Sequence, residues 1–96
     1  MNSLDDIKSV LSQHKDELLK RYPIKKLAIF GSFAGNKQRD DSDIDILVEF
    51  DRSIGIEFID LADEIESLFG TNVDLVSKNG IKKSYYDNIK NDLIYV

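Results

Sequence analysis

Residues 30–50 read FGSFAGNKQRDDSDIDILVEF, and the interpretation of this stretch decides the fold. Gly31-Ser32 ends one apolar run, and Asp43-Ile44-Asp45 opens another, Ile46-Leu47-Val48. Ten residues separate Ser32 from Asp43, so a loop or short helical turn returns the chain from the first run to the second. If Asp43 begins a strand, the period of two sets Asp43 and Asp45 on one face and Ile44 and Ile46 on the other. Two carboxylates side by side repel each other and call for a cation, and oxygen-only ligands suit Mg2+ or Mn2+. A Gly-Ser at a strand end, opening into a helical turn, offers backbone N–H groups and a hydroxyl to a phosphate. A phosphate cradle beside a carboxylate-held metal is equipment for attack on a nucleoside triphosphate.

On the N-terminal side, Met1 and Asn2 are expected to fray, and Ser3 is a good N-cap with Asp5 and Asp6 in the first turn. Leu4, Ile7, Leu11, His14 and Leu18 then form one helical stripe, which Pro23 ends near Tyr22. His14, the sole histidine, reads as a packed ring with one wet nitrogen and not as a metal motif. Residues 24–30, IKKLAIF, are apolar enough at their end for a central strand. On the C-terminal side, residues 51–53 read as a loop, with a helix starting near Ser53 or Gly55. Phe58, Leu61, Ala62, Ile65, Leu68 and Phe69 form its core stripe, and Gly70 stops it. Residues 71–77 read as a third strand, with Val73 and Leu75 on one face and Asp74 and Val76 on the other. Residues 81–96 read as a final helix carrying Tyr85, Ile89 and Leu93 on one side, with an extended alternative for residues 93–96. The order is α-β-β-α-β-α, an α/β (α+β) chain.

Composition bounds the rest. The 96 residues suit one domain, 1–96, with one modest core. No cysteine is present, which excludes a disulfide scaffold and thiolate chemistry. No apolar run approaches the roughly 18 residues that span a bilayer, and no signal-peptide h-region opens the chain, so a cytoplasmic location without membrane contact is expected. A net charge of -5 argues against general nucleic-acid binding, although a local basic patch stays open.

The acidic residue inside VDLV is unexpected in a short apolar strand unless a cation accounts for it. Adjacent strands would bring Asp74 to the Asp43–Asp45 pair. Two of these carboxylates can then hold a metal that grips a triphosphate, and the third can share a second metal or take a proton. The competing interpretation makes Asp40, Asp41, Asp43 and Asp45 one solvated acidic loop. It suits poorly an Asp45 that runs straight into Ile46-Leu47-Val48.

In combination, GSFA at 31–34, the fixed gap, DSDIDILVEF at 41–50 and NVDLV at 72–76 resemble the nucleotidyltransferase superfamily that includes DNA polymerase beta. They resemble more closely its minimal nucleotidyltransferases (MNT domains), found as antitoxins beside HEPN-domain toxins. The resemblance runs from the Leu4 helix to Val96 and implies a small mixed sheet with helices mainly on one side. It implies that Gly31 and Ser32 hold the β- and γ-phosphates, that Asp43 and Asp45 hold Mg2+ and that Asp74 is the third carboxylate. One departure stands out. The family often reads GSxARG, whereas this chain has Gly35 at the arginine position and Asn36 at the glycine. Lys37 and Arg39 are the cations available to replace that guanidinium at the nucleotide. The resemblance further implies ATP as substrate and adenylyl transfer to a tyrosine hydroxyl of a HEPN-type toxin partner. Such docking needs apolar or aromatic surface, for which Tyr85, Tyr86, Tyr95 and Ile94 are candidates, although tyrosines at helical spacing are more often half-buried core. Two other functions compete with it. One is an antitoxin that neutralises its toxin by binding alone. The other is a stand-alone transferase for a small hydroxylated molecule, whose pocket this short chain would enclose only as a homo-oligomer.

Overall fold

The computed structural model describes residues 3–35, 37–39 and 42–96. Its first helix, α1 (Leu4–Arg21), begins where Ser3 Oγ accepts a hydrogen bond from the Asp6 N–H at 3.2 Å. It ends at extended Tyr22, ahead of Pro23. Ile7, Leu11 and Leu18 are its buried stripe, and His14 is half-buried. Next come β1 (Ile24–Phe30), a one-turn α2 (Gly31–Ala34), β2 (Ile44–Phe50), α3 (Glu57–Phe69) and β3 (Val73–Ser77). The chain closes with α4 (Lys83–Ile89), a 3-10 turn (Lys90–Asp92) and β4 (Ile94–Tyr95).

The four strands lie in the order β3-β2-β1-β4. β1 is antiparallel to both neighbours, and β2 runs parallel to β3 through the α3 crossover, so the sheet is mixed. The two faces differ in cover. Ile44, Ile46, Val48 and Phe50 of β2 join Leu27, Ile29 and Leu75 beneath α1 and α3, which contribute Ile7, Leu11, Leu18, Leu61, Ile65 and Phe69. The opposite face has a smaller cluster of Ala28, Phe30 and Leu47, covered by Val76, Tyr86, Ile89 and Leu93. Every buried residue among those described is apolar, and each fully buried large side chain contributes roughly 1.5–3 kcal/mol. Outside the core, Arg21 pairs with Glu64, and Tyr22 donates its hydroxyl hydrogen to Glu64 Oε2 at 2.9 Å, tying the end of α1 to α3.

Several local expectations are corrected. The turn after β1 takes the helical form of the two that were open, whereas β2 begins at Ile44, one residue after Asp43. The third strand begins at Val73, whose N–H donates to Glu66 Oε2 at 3.1 Å. Helix α3 starts at Glu57 rather than at 53–55 and ends at Gly70, which takes the left-handed conformation with φ +67°. The largest correction falls on residues 81–96. α4 stops at Ile89, and Ile94 and Tyr95 pair with Ile29 and Ala28, so the extended alternative for the last residues is the one that forms. The open edge of β1 supplies hydrogen bonds that a continued helix would forgo. No helix among the described residues is long and apolar enough to cross a membrane. Met1, Asn2, Asn36, Asp40 and Asp41 lie outside the described residues, and with them the expected fraying and part of the acidic run.

Candidate active site

The site is built where β1 becomes α2. Gly31 has φ +76°, a conformation L side chains rarely adopt, and this turns the strand into the helix. A Cβ at that position would lie 2.1 Å from Asp45 Oδ2, so the Asp45 carboxylate occupies space that only glycine leaves free. The approach follows from register. Phe30 is opposite Asp45 across β1 and β2, and Asp45 is opposite Asp74 across β2 and β3. Asp45 and Asp74 therefore share the sparsely covered sheet face, with Asp45 half-buried and Asp74 exposed. Asp43 is exposed just before β2.

Burial, and then the charges of Asp74 and Asp43, push the Asp45 pKa up to about 6. Asp45 thus feels both other carboxylates. Among the described residues, no three acidic or histidine side chains are grouped closely enough to hold a metal ion. The donor set nevertheless suits a hard divalent cation: all ligand atoms are oxygens, two of the three carboxylates are strand-held, and one is seated in the Gly31 cradle.

The rest of the turn is held by its backbone. The Gly35 N–H donates to Gly31 O at 3.2 Å, and the Lys37 N–H donates to Ser32 O at 2.8 Å. A cleft of about 610 Å3 opens beside it, with Gly31, Ser32 and Lys37 on one wall and Asn91, Asp92 and Leu93 on the other. None of Asp43, Asp45 and Asp74 lines this cleft. Arg39 does not line it either. Its N–H donates to Ser42 Oγ at 2.8 Å and its carbonyl accepts from the Ser42 N–H at 3.0 Å, which orders the approach to Asp43. Of the two candidate replacements for the missing arginine, Lys37 is therefore the one at the Gly31-Ser32 turn. Gly35 itself has φ -89°, and a Cβ there would meet only ordinary contacts, the nearest at 3.8 Å. The backbone does not demand glycine at that position.

The expected docking tyrosines separate into two groups. Tyr85 is 42% exposed and packs edge-on against Phe30, with ring centroids 6.5 Å apart. Burial, then Asp74 and Asp45, raise its pKa. Tyr86 lies instead beneath Lys78 Nζ, 4.9 Å from the ring centroid, and Tyr95 lies beneath Lys26 Nζ, 5.6 Å from its centroid. Lys78 and Lys25 both pair with Glu49, at 3.2 and 3.5 Å. Ile94 is half-buried. Sequence reasoning missed the closeness of Tyr85 to the carboxylates and the cleft wall at residues 91–93. Neither has a local signal, because both depend on where the last segment crosses the sheet.

Residues 11–96 match the family model described as the nucleotidyltransferase domain. Methanocaldococcus jannaschii MJ0128, provisionally named a protein adenylyltransferase, is 46% identical over 98 residues, with both chains covered in full. Protein adenylyltransferase MntA of Thermococcus cleftensis is 36% identical over 97 residues, covering 100% of this chain and 98% of that one. The solved complex of a tri-AMPylated Shewanella oneidensis HEPN toxin with its MNT antitoxin superposes with a TM-score of 0.71 over 93% of this chain and 70% of that one. At 20% identity this last likeness speaks for the fold alone.

Proposed function

The chain belongs to the nucleotidyltransferase domain family, and from that premise we propose that it is a Mg2+-dependent protein adenylyltransferase. It moves AMP from ATP to a tyrosine hydroxyl of a HEPN-type toxin and so acts as the antitoxin of that pair. The observation that carries this reading is the seating of Asp45 in the space left by Gly31, in register with Asp74. It joins the phosphate turn to the carboxylates in one unit. Support for the acceptor class comes from the relatives named as protein adenylyltransferases.

In this reading Asp43 and Asp45 hold the cation, and Asp74 is the third carboxylate, in register with Asp45 on the neighbouring strand. When bound, the cation supplies charge neutralisation at the triphosphate. The chain's own groups do the rest. The Ser32 hydroxyl and the free N–H groups at the start of α2 take phosphate oxygens. Lys37 adds a positive charge at the same turn. Asp74 accepts the proton as the acceptor oxygen bonds to the α-phosphorus and the bond to pyrophosphate breaks.

Calorimetric titration with ATP tests the site. Binding is expected with Mg2+ or Mn2+, to be lost in EDTA, and to be sharply weakened by Asp45→Asn in a chain that still folds. Metal-independent binding of equal strength would overturn the assignment. A second reading, neutralisation by binding alone, draws on one observation: glycine stands at 35 where the family often has arginine. An Asp43→Asn/Asp45→Asn double variant separates the two, because a pure binder would silence its toxin unimpaired.

A further inference from the structure

The chain has four tyrosines, and three of them are engaged away from the carboxylates. Tyr22 is bonded to Glu64 on the far face. Tyr86 packs beneath the Lys78 ammonium, and Tyr95, on β4, beneath that of Lys26. Tyr85 packs instead beside the start of the phosphate turn. Its ring rests on Phe30, the residue immediately before Gly31 and opposite Asp45 in the sheet. It is thus seated at the junction of the phosphate turn with the carboxylates, on the face that holds Asp45 and Asp74. Burial, and then the charges of Asp74 and Asp45, raise its pKa. At 42% exposure its side chain is open to solvent. A partner's acceptor tyrosine would have to bring the same chemical group to the same carboxylates.

We propose that Tyr85 is itself an acceptor, and that the chain adenylylates it when no partner tyrosine occupies the site. This inference rests on the transferase reading given above. The Tyr85 phenol oxygen forms a bond to the α-phosphorus of ATP, the bond between that phosphorus and pyrophosphate breaks, and the phenolic proton passes to Asp74 and on to water. The products are Tyr85-O-AMP and pyrophosphate. Because nucleophile and carboxylates belong to one chain, the step is intramolecular and gains from fixed proximity. The AMP group left on Tyr85 adds bulk and negative charge on the acceptor side of the site. Self-modification therefore slows transfer to a partner.

The test incubates the purified chain alone with ATP and Mg2+ and reads intact mass, followed by peptide mapping. One adduct of about 329 Da, the mass of an AMP unit, is expected on Tyr85. Its first-order rate constant should stay unchanged on tenfold dilution of the chain. The adduct should be absent from Tyr85→Phe and from Asp45→Asn, and retained by Tyr86→Phe and Tyr95→Phe. Tyr85→Phe should still bind ATP with Mg2+, so a lost adduct does not reflect misfolding. An adduct on another residue, or a rate that falls with dilution, overturns the proposal. No adduct on a chain that still modifies a HEPN-type toxin overturns it while leaving the transferase reading standing. No transfer to either acceptor overturns both.

Discussion

Asp45 holds a negative charge where the fold resists it. Burial, Asp74 and Asp43 together raise its pKa to about 6 from 3.8. A carboxyl whose folded pKa lies above its unfolded value favours folding when protonated. That contribution is fully present below 3.8 and is lost as pH rises through about 6. Asp45→Asn is therefore expected to stabilise the fold at pH 8 in EDTA by on the order of 1 kcal/mol, once solvent screening at a half-exposed site is allowed for, and so to raise the melting temperature. The gap from wild type should close as pH falls from 6 towards 4, as followed by thermal unfolding. An unchanged or lower melting temperature at pH 8 would contradict the conflict. Gly35 carries a second residue-scale prediction. Its φ of -89° and open surroundings accept a side chain, so Gly35→Arg should fold normally and raise ATP affinity in calorimetry. No gain would mean that Lys37 already supplies the charge. The phase of Asp45 and Asp74 was legible in the sequence because a period of two and apolar flanks are local properties. The demand for glycine at 31 was not, because it comes from a carboxylate approaching from another strand.

At the scale of elements, α1 and α3 were legible for the same reason: cap, stripe and stop lie within each segment. Ser3, the Ile7–Leu11–Leu18 stripe and Pro23 define α1, and the Leu61–Ile65–Phe69 stripe with Gly70 defines α3. The last segment was legible only in part. Its apolar residues fit a helix through Val96, yet Ile94 and Tyr95 become a strand because β1 offers them an edge. Nothing local encodes that edge. Asn91 and Asp92 sit in the 3-10 turn that ends the helical stretch, and both are weak helix formers. The βαβ unit of β2, α3 and β3 is what fixes Asp45 against Asp74, so the strength of α3 packing bears on the site. Ile65 is fully buried in the main core. Ile65→Ala should cost about 2–5 kcal/mol, read as a lower urea midpoint at an unchanged slope. A cost below about 1 kcal/mol would show that α3 is not packed as described.

At the scale of the whole molecule, the sheet covers its two faces unequally, and the difference organises the function. α1 and α3 seal one face. The other has a small cluster beneath α4 and leaves Asp45, Asp74 and Tyr85 accessible at one end. At the opposite end, burial works to raise the Glu49 pKa, but hydrogen bonds and charge from Lys78 and Lys25 outweigh it and hold the pKa low. The two ends of one face are thus electrostatically distinct: uncompensated acid at the site, compensated acid away from it. Among the described residues every long helix is committed to this sheet, so an acceptor has to bring its own surface. The central claim is transfer of AMP to such a partner. Its most direct test is intact-protein mass spectrometry of a HEPN-type toxin mixed with the chain, ATP and Mg2+. The account predicts a gain of about 329 Da per transfer on a toxin tyrosine, abolished by changing Asp43 and Asp45 together to Asn. A toxin silenced without any gain in mass, and silenced equally by the double variant, would contradict it.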